Sequence, residues 1–421
     1  MTISKSIQPR QKSTEEWGPS LIASKTGKDF RDELSQFLVD LVSIPSESCF
    51  EKDVVQRIKN EMEKVGFDSV KIDGLGNIIG RIGHGKRVIA MDAHIDTVGP
   101  GKREDWKTEP LKGTIIGDHV YGVGAVDQKA GMASMVYGVK LIRELDLLSD
   151  YTLYVVGTVQ EEDCDGMCWR YIIEQGEIRP ECVVITEPTN LNIYIGHRGR
   201  MEMKVATQGK SAHGSMPHLG DNAIYSMGRV VGEIESLNER LKADPFLGKG
   251  SITVSHITSQ APSLCSVPYK CTIHIDRRLT LGENRETAVG EIEEIIKSTG
   301  VNAEVFIPRY EKPSYKNTIH PTDCYFPTWK LPEDHPLLST AEKTYRALFL
   351  AEPQMGKWTF STNGVATMGV YGIPTLGFGP GDERLAHSPN ECVPIEHLIK
   401  ASAWYALFPA IYAETMEDQQ K

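Results

Sequence analysis

Apolar positions along this chain fall into two periods, and the change between them divides it. From Lys28 to Val65 they recur at helical spacing, interrupted by a turn at Ile44-Pro45-Ser46. That stretch predicts a helix ending near Asp40–Pro45, a loop and further helix. Beyond Val65, short apolar runs alternate with Gly-rich loops and helical segments, the texture of an α/β sheet buried on both faces. Four runs have strand length and β-branched or aromatic content: Val88–Met91, Tyr151–Val156, Cys182–Ile185 and Thr375–Phe378. Each leads into a polar loop carrying metal-type side chains: His94, then Glu161 and Glu162, then Glu187, then His387. Sites in open α/β sheets form beyond the carboxyl ends of strands, so this regularity predicts one shared site.

Between Glu187 and His387 the texture shifts again. The pattern predicts strand Met201–Thr207, a loop with His213, helix Asn222–Leu241, strands Ser251–Ile257 and Tyr269–Leu279, helix Asn284–Ser298 and strand Ala303–Ile307. This βαββαβ order predicts a two-layer α+β unit inserted into the larger domain. The alternation Lys270-Cys271-Thr272-Ile273-His274-Ile275-Asp276 fits a sheet with one wet or interfacial face. The expected division is 1–199 and 311–421 for a catalytic α/β domain, and 200–310 for the insert.

Composition narrows the function classes. A length of 421 residues exceeds one ordinary core. The net charge of −11 argues against a nucleic-acid partner, which needs a basic face to neutralise phosphates. The N-terminal stretch 1–20 is polar and lacks an apolar run, so no secretory leader is expected. No segment approaches the ~18–20 apolar residues that span a bilayer, so no membrane partner is expected. The eight cysteines are read as reduced thiols in a cytoplasmic protein. Cys164 and Cys168 lie four apart, with no second pair to complete a structural zinc site.

Chemistry concentrates in five motifs. In Met91-Asp92-Ala93-His94-Ile95-Asp96, a histidine past a strand could ligate metal while Asp96 accepts its second ring N–H. The run Tyr121-Gly122-Val123-Gly124-Ala125-Val126-Asp127 puts a carboxylate at the tip of a Gly-rich turn, where its two oxygens could bridge two cations. Of the adjacent Glu161 and Glu162, one could bind metal while the other acts as general base. Glu187 ends a buried run before Pro188, and His387 follows a Gly- and Pro-rich loop. Each motif alone also suits a surface loop. Together, two histidines and three carboxylates form a mixed nitrogen and oxygen set suited to zinc, cobalt or manganese.

This order of motifs resembles the superfamily of acetylornithine deacetylase, succinyl-diaminopimelate desuccinylase, carboxypeptidase G and aminoacylase-1, over nearly the whole chain from about Phe30. The loop Cys164-Asp165-Gly166 and the segment Phe360-Ser361-Thr362-Asn363-Gly364 are similar to a subgroup of selenium-metabolism hydrolases. The resemblance implies a mostly parallel mixed sheet with flanking helices and a ferredoxin-like lid that also dimerises. It implies two divalent ions per chain, one held by His94, Asp127 and Glu187 and the other by Asp127, Glu162 and His387. Asp96 would orient His94, Glu161 would be the general base, and a cis peptide would follow Asp127. His213, in Gly209-Lys210-Ser211-Ala212-His213-Gly214, would reach the site of a partner subunit. In Asp276-Arg277-Arg278, Arg278 would clamp a substrate carboxylate and Arg277 would point to the opposite face. Asn363 would contact substrate. Where relatives carry Asn in the lid motif N-x-x-P, this chain has Cys265.

The implied reaction is hydrolysis of an amide bond in a small acylamino-acid or dipeptide-like substrate by a water activated between two cations, zinc above all. Deacylase and dipeptidase or carboxypeptidase activities share these motifs. A non-catalytic binding protein on the same scaffold is the alternative of another class. The expected partners are a small carboxylate-bearing molecule and a second copy of the chain.

Overall fold

The computed structural model describes residues 23–418. The N-terminal stretch read above for a leader lies outside them. Among the described residues no helix is long and apolar enough to cross a membrane.

The larger unit is built on a nine-stranded mixed sheet. At its centre lie four neighbouring strands, in the order Tyr151–Thr158, Arg87–His94, Cys182–Ile185 and Thr375–Gly377, all parallel. They contain the four apolar runs read from the sequence, except that Phe378 lies one residue beyond the last strand. Six consecutive residues, Ile89 to His94, are buried, as both faces of the sheet are covered. Antiparallel strands flank this centre, Ile78–Ile82 on one side and Ile193–His197 on the other. The helical stretch near the N-terminus forms helices Lys28–Val42 and Lys52–Val65, with the expected break between them. Both pack on helix Lys129–Leu145, which lies against the long helix Ile395–Asp418. Trp404 of that long helix stacks on Phe378 at 4.4 Å between ring centroids and on Phe408 at 4.6 Å, tying the last parallel strand to the helical layer.

The inserted unit has the expected βαββαβ order. Its strands Gly199–Gln208, Ser251–Gln260, Lys270–Leu279 and Ala303–Phe306 form an antiparallel sheet, and helices Ala223–Arg240 and Arg285–Thr299 cover one face. Spatial order runs second, third, first, fourth strand, the ferredoxin-like arrangement. The small sheet also takes Tyr325–Phe326, beyond the expected boundary at residue 310, and the chain returns to the large sheet at Trp329–Lys330. Strand Lys270–Leu279 alternates strictly: Cys271, Ile273, Ile275, Arg277 and Leu279 face the helices, while Asp276 and Arg278 lie on the wetter face. Arg277 is fully buried, with its Nη2 donating to Glu283 at 2.7 Å and to Glu291 at 3.3 Å. It forms a core ion pair on the face opposite Arg278. All eight cysteines are free thiols.

Candidate metal centre

Each central parallel strand delivers one part of the site. His94 is the last residue of its strand. The neighbouring strand runs on to Glu161 and Glu162, turned by Gln160 in a left-handed conformation (φ 59°). Strand Cys182–Ile185 leads to Glu187, and Thr375–Gly377 leads to His387, itself left-handed (φ 54°). Such backbone costs energy and persists only where its surroundings fix it, as at functional sites. Asp127 arrives on the Gly-rich loop, shaped by Gly122 (φ 141°) and Gly124 (φ 80°). At Gly122 a Cβ would also lie 2.4 Å from Val42 Cγ1, so glycine is required there twice over. The Asp127–Gln128 peptide is cis.

These side chains converge. His94 Nε2 lies 2.8 Å from Asp127 Oδ1 and 3.5 Å from Glu187 Oε1. His387 Nε2 lies 3.0 Å from Glu162 Oε1 and 3.2 Å from Asp127 Oδ2. Two triads result, His94–Asp127–Glu187 and Asp127–Glu162–His387, each with ligand atoms within 4.8 Å of one another. Asp127 belongs to both and gives one oxygen to each.

The donor set fits divalent cations. Glu187 Oε2 and Glu161 Oε1 are buried without a hydrogen-bond partner, a cost that a bound cation would remove. Burial, then the charge of Asp127, pushes the Glu187 carboxyl well up. Burial likewise raises Glu161 well above its ordinary value. Burial works against charge on His94, but Glu187, Asp127 and Asp96 outweigh it and raise its pKa. Hydrogen bonds to Asp127 and Glu162 carry His387 up to about 10. Carboxylates crowded together in a buried site raise one another's pKa values and those of the histidines beside them in this way.

A shell of hydrogen bonds holds the ligands. His94 Nδ1 donates to the backbone carbonyl of Asp96 at 2.9 Å, which leaves Nε2 for the triad. The Asp96 carboxylate is farther from that nitrogen, at 3.6 Å. The expected carboxylate–imidazole contact is therefore mainly a backbone one. The carboxylate instead accepts the N–H groups of Glu161 and Glu162, each at 3.1 Å, and the Ser48 hydroxyl at 2.6 Å. Glu391, which the sequence reading missed, accepts the N–H groups of Gly124 (3.2 Å), Val126 (2.6 Å) and Asp127 (3.0 Å) and so fixes the bridging loop. Its only sequence signal is an acidic residue four positions after His387.

The ligands and Glu161 line a cavity of about 350 Å³ whose roof comes from the lid. Arg278 reaches it, with Asp276 accepting from its Nε at 2.8 Å and its Nη2 at 3.0 Å. Arg200, Phe360 and Ser361 line it too, none of them singled out as a contact in the sequence. Asn363 does not line it. Its side chain is buried, with Nδ2 donating to Asp92 at 2.9 Å and Thr158 at 3.0 Å, and Oδ1 accepting from Gly166 N–H at 2.9 Å and the Cys168 thiol at 3.1 Å. The expected substrate contact is thus a structural bracket beneath the site. His213 is exposed on the lid and is not among the residues around its own chain's cavity. Its Nδ1 accepts from Ser215, and its loop pairs with the segment carrying Cys265.

Comparison with known proteins agrees with this geometry. The family model for peptidase family M20/M25/M40 matches residues 90–410. The chain is 52% identical over 397 residues to the uncharacterized protein YgeY of Escherichia coli K12, covering 94% of this chain and 98% of that one. It is 28% identical over 326 residues to an acetylornithine deacetylase of Klebsiella pneumoniae, covering 75% and 78%. Its fold superposes on the Bacillus subtilis YXEP protein, a dinuclear metal-binding M20 peptidase, with a TM-score of 0.69 at 16% identity over 92% of this chain and all of that one. Because the family match runs through every candidate ligand from His94 to His387, the chain belongs to peptidase family M20/M25/M40 and is a metal-dependent hydrolase.

Proposed function

We propose that the protein hydrolyses the amide bond of a small, carboxylate-bearing acylamino acid, with Glu161 as general base. One observation carries this reading. Glu161 is a buried carboxylate beside both triads, and its Oε1 has no hydrogen-bond partner. Glu187 also has a partnerless oxygen, but it belongs to a triad, whereas Glu161 belongs to neither. A free oxygen facing the cavity suits proton transfer.

His94, Asp127 and Glu187 would hold one cation and Asp127, Glu162 and His387 the other, with zinc the metal best matched to this nitrogen and oxygen set. Bound there, the two cations supply Lewis-acid polarisation and acidify water. Glu161 takes a proton from the attacking water and returns it to the leaving nitrogen. Asp96 fixes the 161–162 turn so that Glu161 keeps its aim. Arg278, held by Asp276, presents the remaining edge of its fork to the substrate carboxylate. His213 serves a second copy of the chain, donating from Nε2 to the developing oxyanion, since its Nδ1 is occupied by Ser215. The dimer forms through the lid. Strand Ser251–Gln260 is the edge of the lid sheet, and Ile257, Tyr225, Met216 and Leu264 are exposed on this unit.

The test is Glu161→Gln in zinc-reconstituted protein, assayed on N-acyl amino acids and dipeptides. We expect metal content to be unchanged and turnover to fall by several orders of magnitude. Near-normal turnover would remove Glu161 from the reaction.

A further inference from the structure

Arg200 is a second guanidinium over the same cavity, and the roles assigned so far leave it out. It is the direct cross-strand partner of Arg278 in the lid sheet, so two cations share one spot on the cavity face. Like charges opposed across an antiparallel pair repel, so such a pair needs anions. The two arginines meet that need differently. Arg278 has a two-point ion pair with Asp276. Arg200 has carboxylates nearby but outside hydrogen-bond reach, with Nε 3.6 Å from Asp165 and Nη2 3.6 Å from Glu202. Its Nε is buried and has no hydrogen-bond partner. Asp165 is itself taken by the Ser361 hydroxyl. The guanidinium is nevertheless held in place, its central carbon 4.6 Å over the Phe326 ring. A positioned fork with unfilled donors, 19% exposed at a cavity wall, is built to receive oxygens from something bound there.

We propose that Arg200 is a specificity-determining residue that binds a second anionic group of the substrate, so that the preferred amide carries one carboxylate for Arg278 and another for Arg200. The inference rests on the reading of this cavity as the substrate site. It selects dianionic acylamino acids over otherwise identical neutral-side-chain ones. The second carboxylate sits on either side of the amide, and the competing role for Arg200 is that of a counter-ion to Asp165 alone.

Binding by calorimetry separates these roles without relying on turnover. Zinc-loaded Glu161→Gln protein, with Arg200 or with Arg200→Met, is titrated with two matched pairs. N-acetylglutamate against N-acetylglutamine places the second carboxylate on the amine side. N-succinylalanine against its terminal carboxamide places it on the acyl side. We expect one pair to show at least tenfold tighter binding of the carboxylate with Arg200 present. With Arg200→Met that ratio should fall to about one while the carboxamide's affinity is unchanged. A preference in neither pair, a preference that survives Arg200→Met, or equal weakening of both members overturns the proposal. If Arg200→Met does not fold, Arg200→Gln, which keeps a polar side chain without the charge, carries the same titration. Failure of both to fold assigns Arg200 to Asp165 and overturns it too. Turnover of the same compounds by the unsubstituted protein is read separately. An Arg200-dependent binding preference without any turnover sinks the hydrolase reading and leaves this one standing. Turnover without that preference does the reverse.

Discussion

Asp96 Oδ1 accepts the backbone N–H of Glu161 at 3.1 Å, and its Oδ2 accepts that of Glu162 at the same distance. One buried carboxylate thus sets the direction of both the candidate base and a candidate metal ligand. Asp96→Asn replaces one acceptor oxygen with an NH₂ that faces a donor. We expect kcat/KM to fall by about 10- to 100-fold with the fold intact, the range typical of residues that orient a metal site. Unchanged kinetics would show that the turn holds itself.

Glu391 supports the other side of the centre by accepting three loop N–H groups, those of Gly124, Val126 and Asp127. Glu391→Gln should weaken zinc binding by about 10- to 100-fold in chelator competition, because the bridging aspartate loses its fixed backbone. Wild-type affinity would detach the loop from metal retention.

Acid stability should depend on Glu61, which is 3% exposed. Arg57 donates to it at 2.8 Å, Lys64 at 3.0 Å and the Tyr137 hydroxyl at 3.0 Å. Burial pushes its carboxyl up, but the hydrogen bonds from Lys64, Arg57 and Tyr137 outweigh burial and leave it below its ordinary 4.5. The unfolded chain therefore takes up this proton first as pH falls. The stabilisation is fully present above the ordinary value and is lost as pH drops through the lower folded value. Glu61→Gln should cost about 1–3 kcal/mol in urea unfolding at pH 7. That difference should shrink as pH falls through the depressed folded value, where the wild-type carboxyl itself becomes protonated. A difference independent of pH would contradict the account.

Gly379 is where the His387 strand exits past the Glu187 strand. A Cβ there would lie 2.1 Å from the Glu187 carbonyl oxygen and 2.3 Å from that of Thr186. Gly379→Ala should therefore displace Glu187, lowering zinc affinity and thermal stability together. A variant that loses neither would show that the two strand ends can part without cost.

Much of this was legible in the chain because strand-length apolar runs end in metal-type residues, and a parallel sheet makes those ends meet. His94, Glu161, Glu187 and His387 needed no distances to be grouped. The lid was legible from its two helical and four strand periods. What escaped depends on tertiary pairing. Glu391 acts through backbone amides 264 to 267 positions away, and Arg200 matters because it lies opposite Arg278 across two strands. Arg277 and Asn363 show the converse. Asn363 sits in a segment that suggests contact with substrate but is held in the core by buried polar groups that need its hydrogen bonds, and Arg277, expected on the face opposite Arg278, is buried there in an ion pair with Glu283.

The central claim is that residues from 94 to 387 cage a pair of cations. Anomalous diffraction at the zinc edge from crystals of zinc-loaded protein tests it most directly. Two peaks per chain are expected, one bounded by His94, Asp127 and Glu187 and the other by Asp127, Glu162 and His387. A single peak, or peaks away from Asp127, would contradict it.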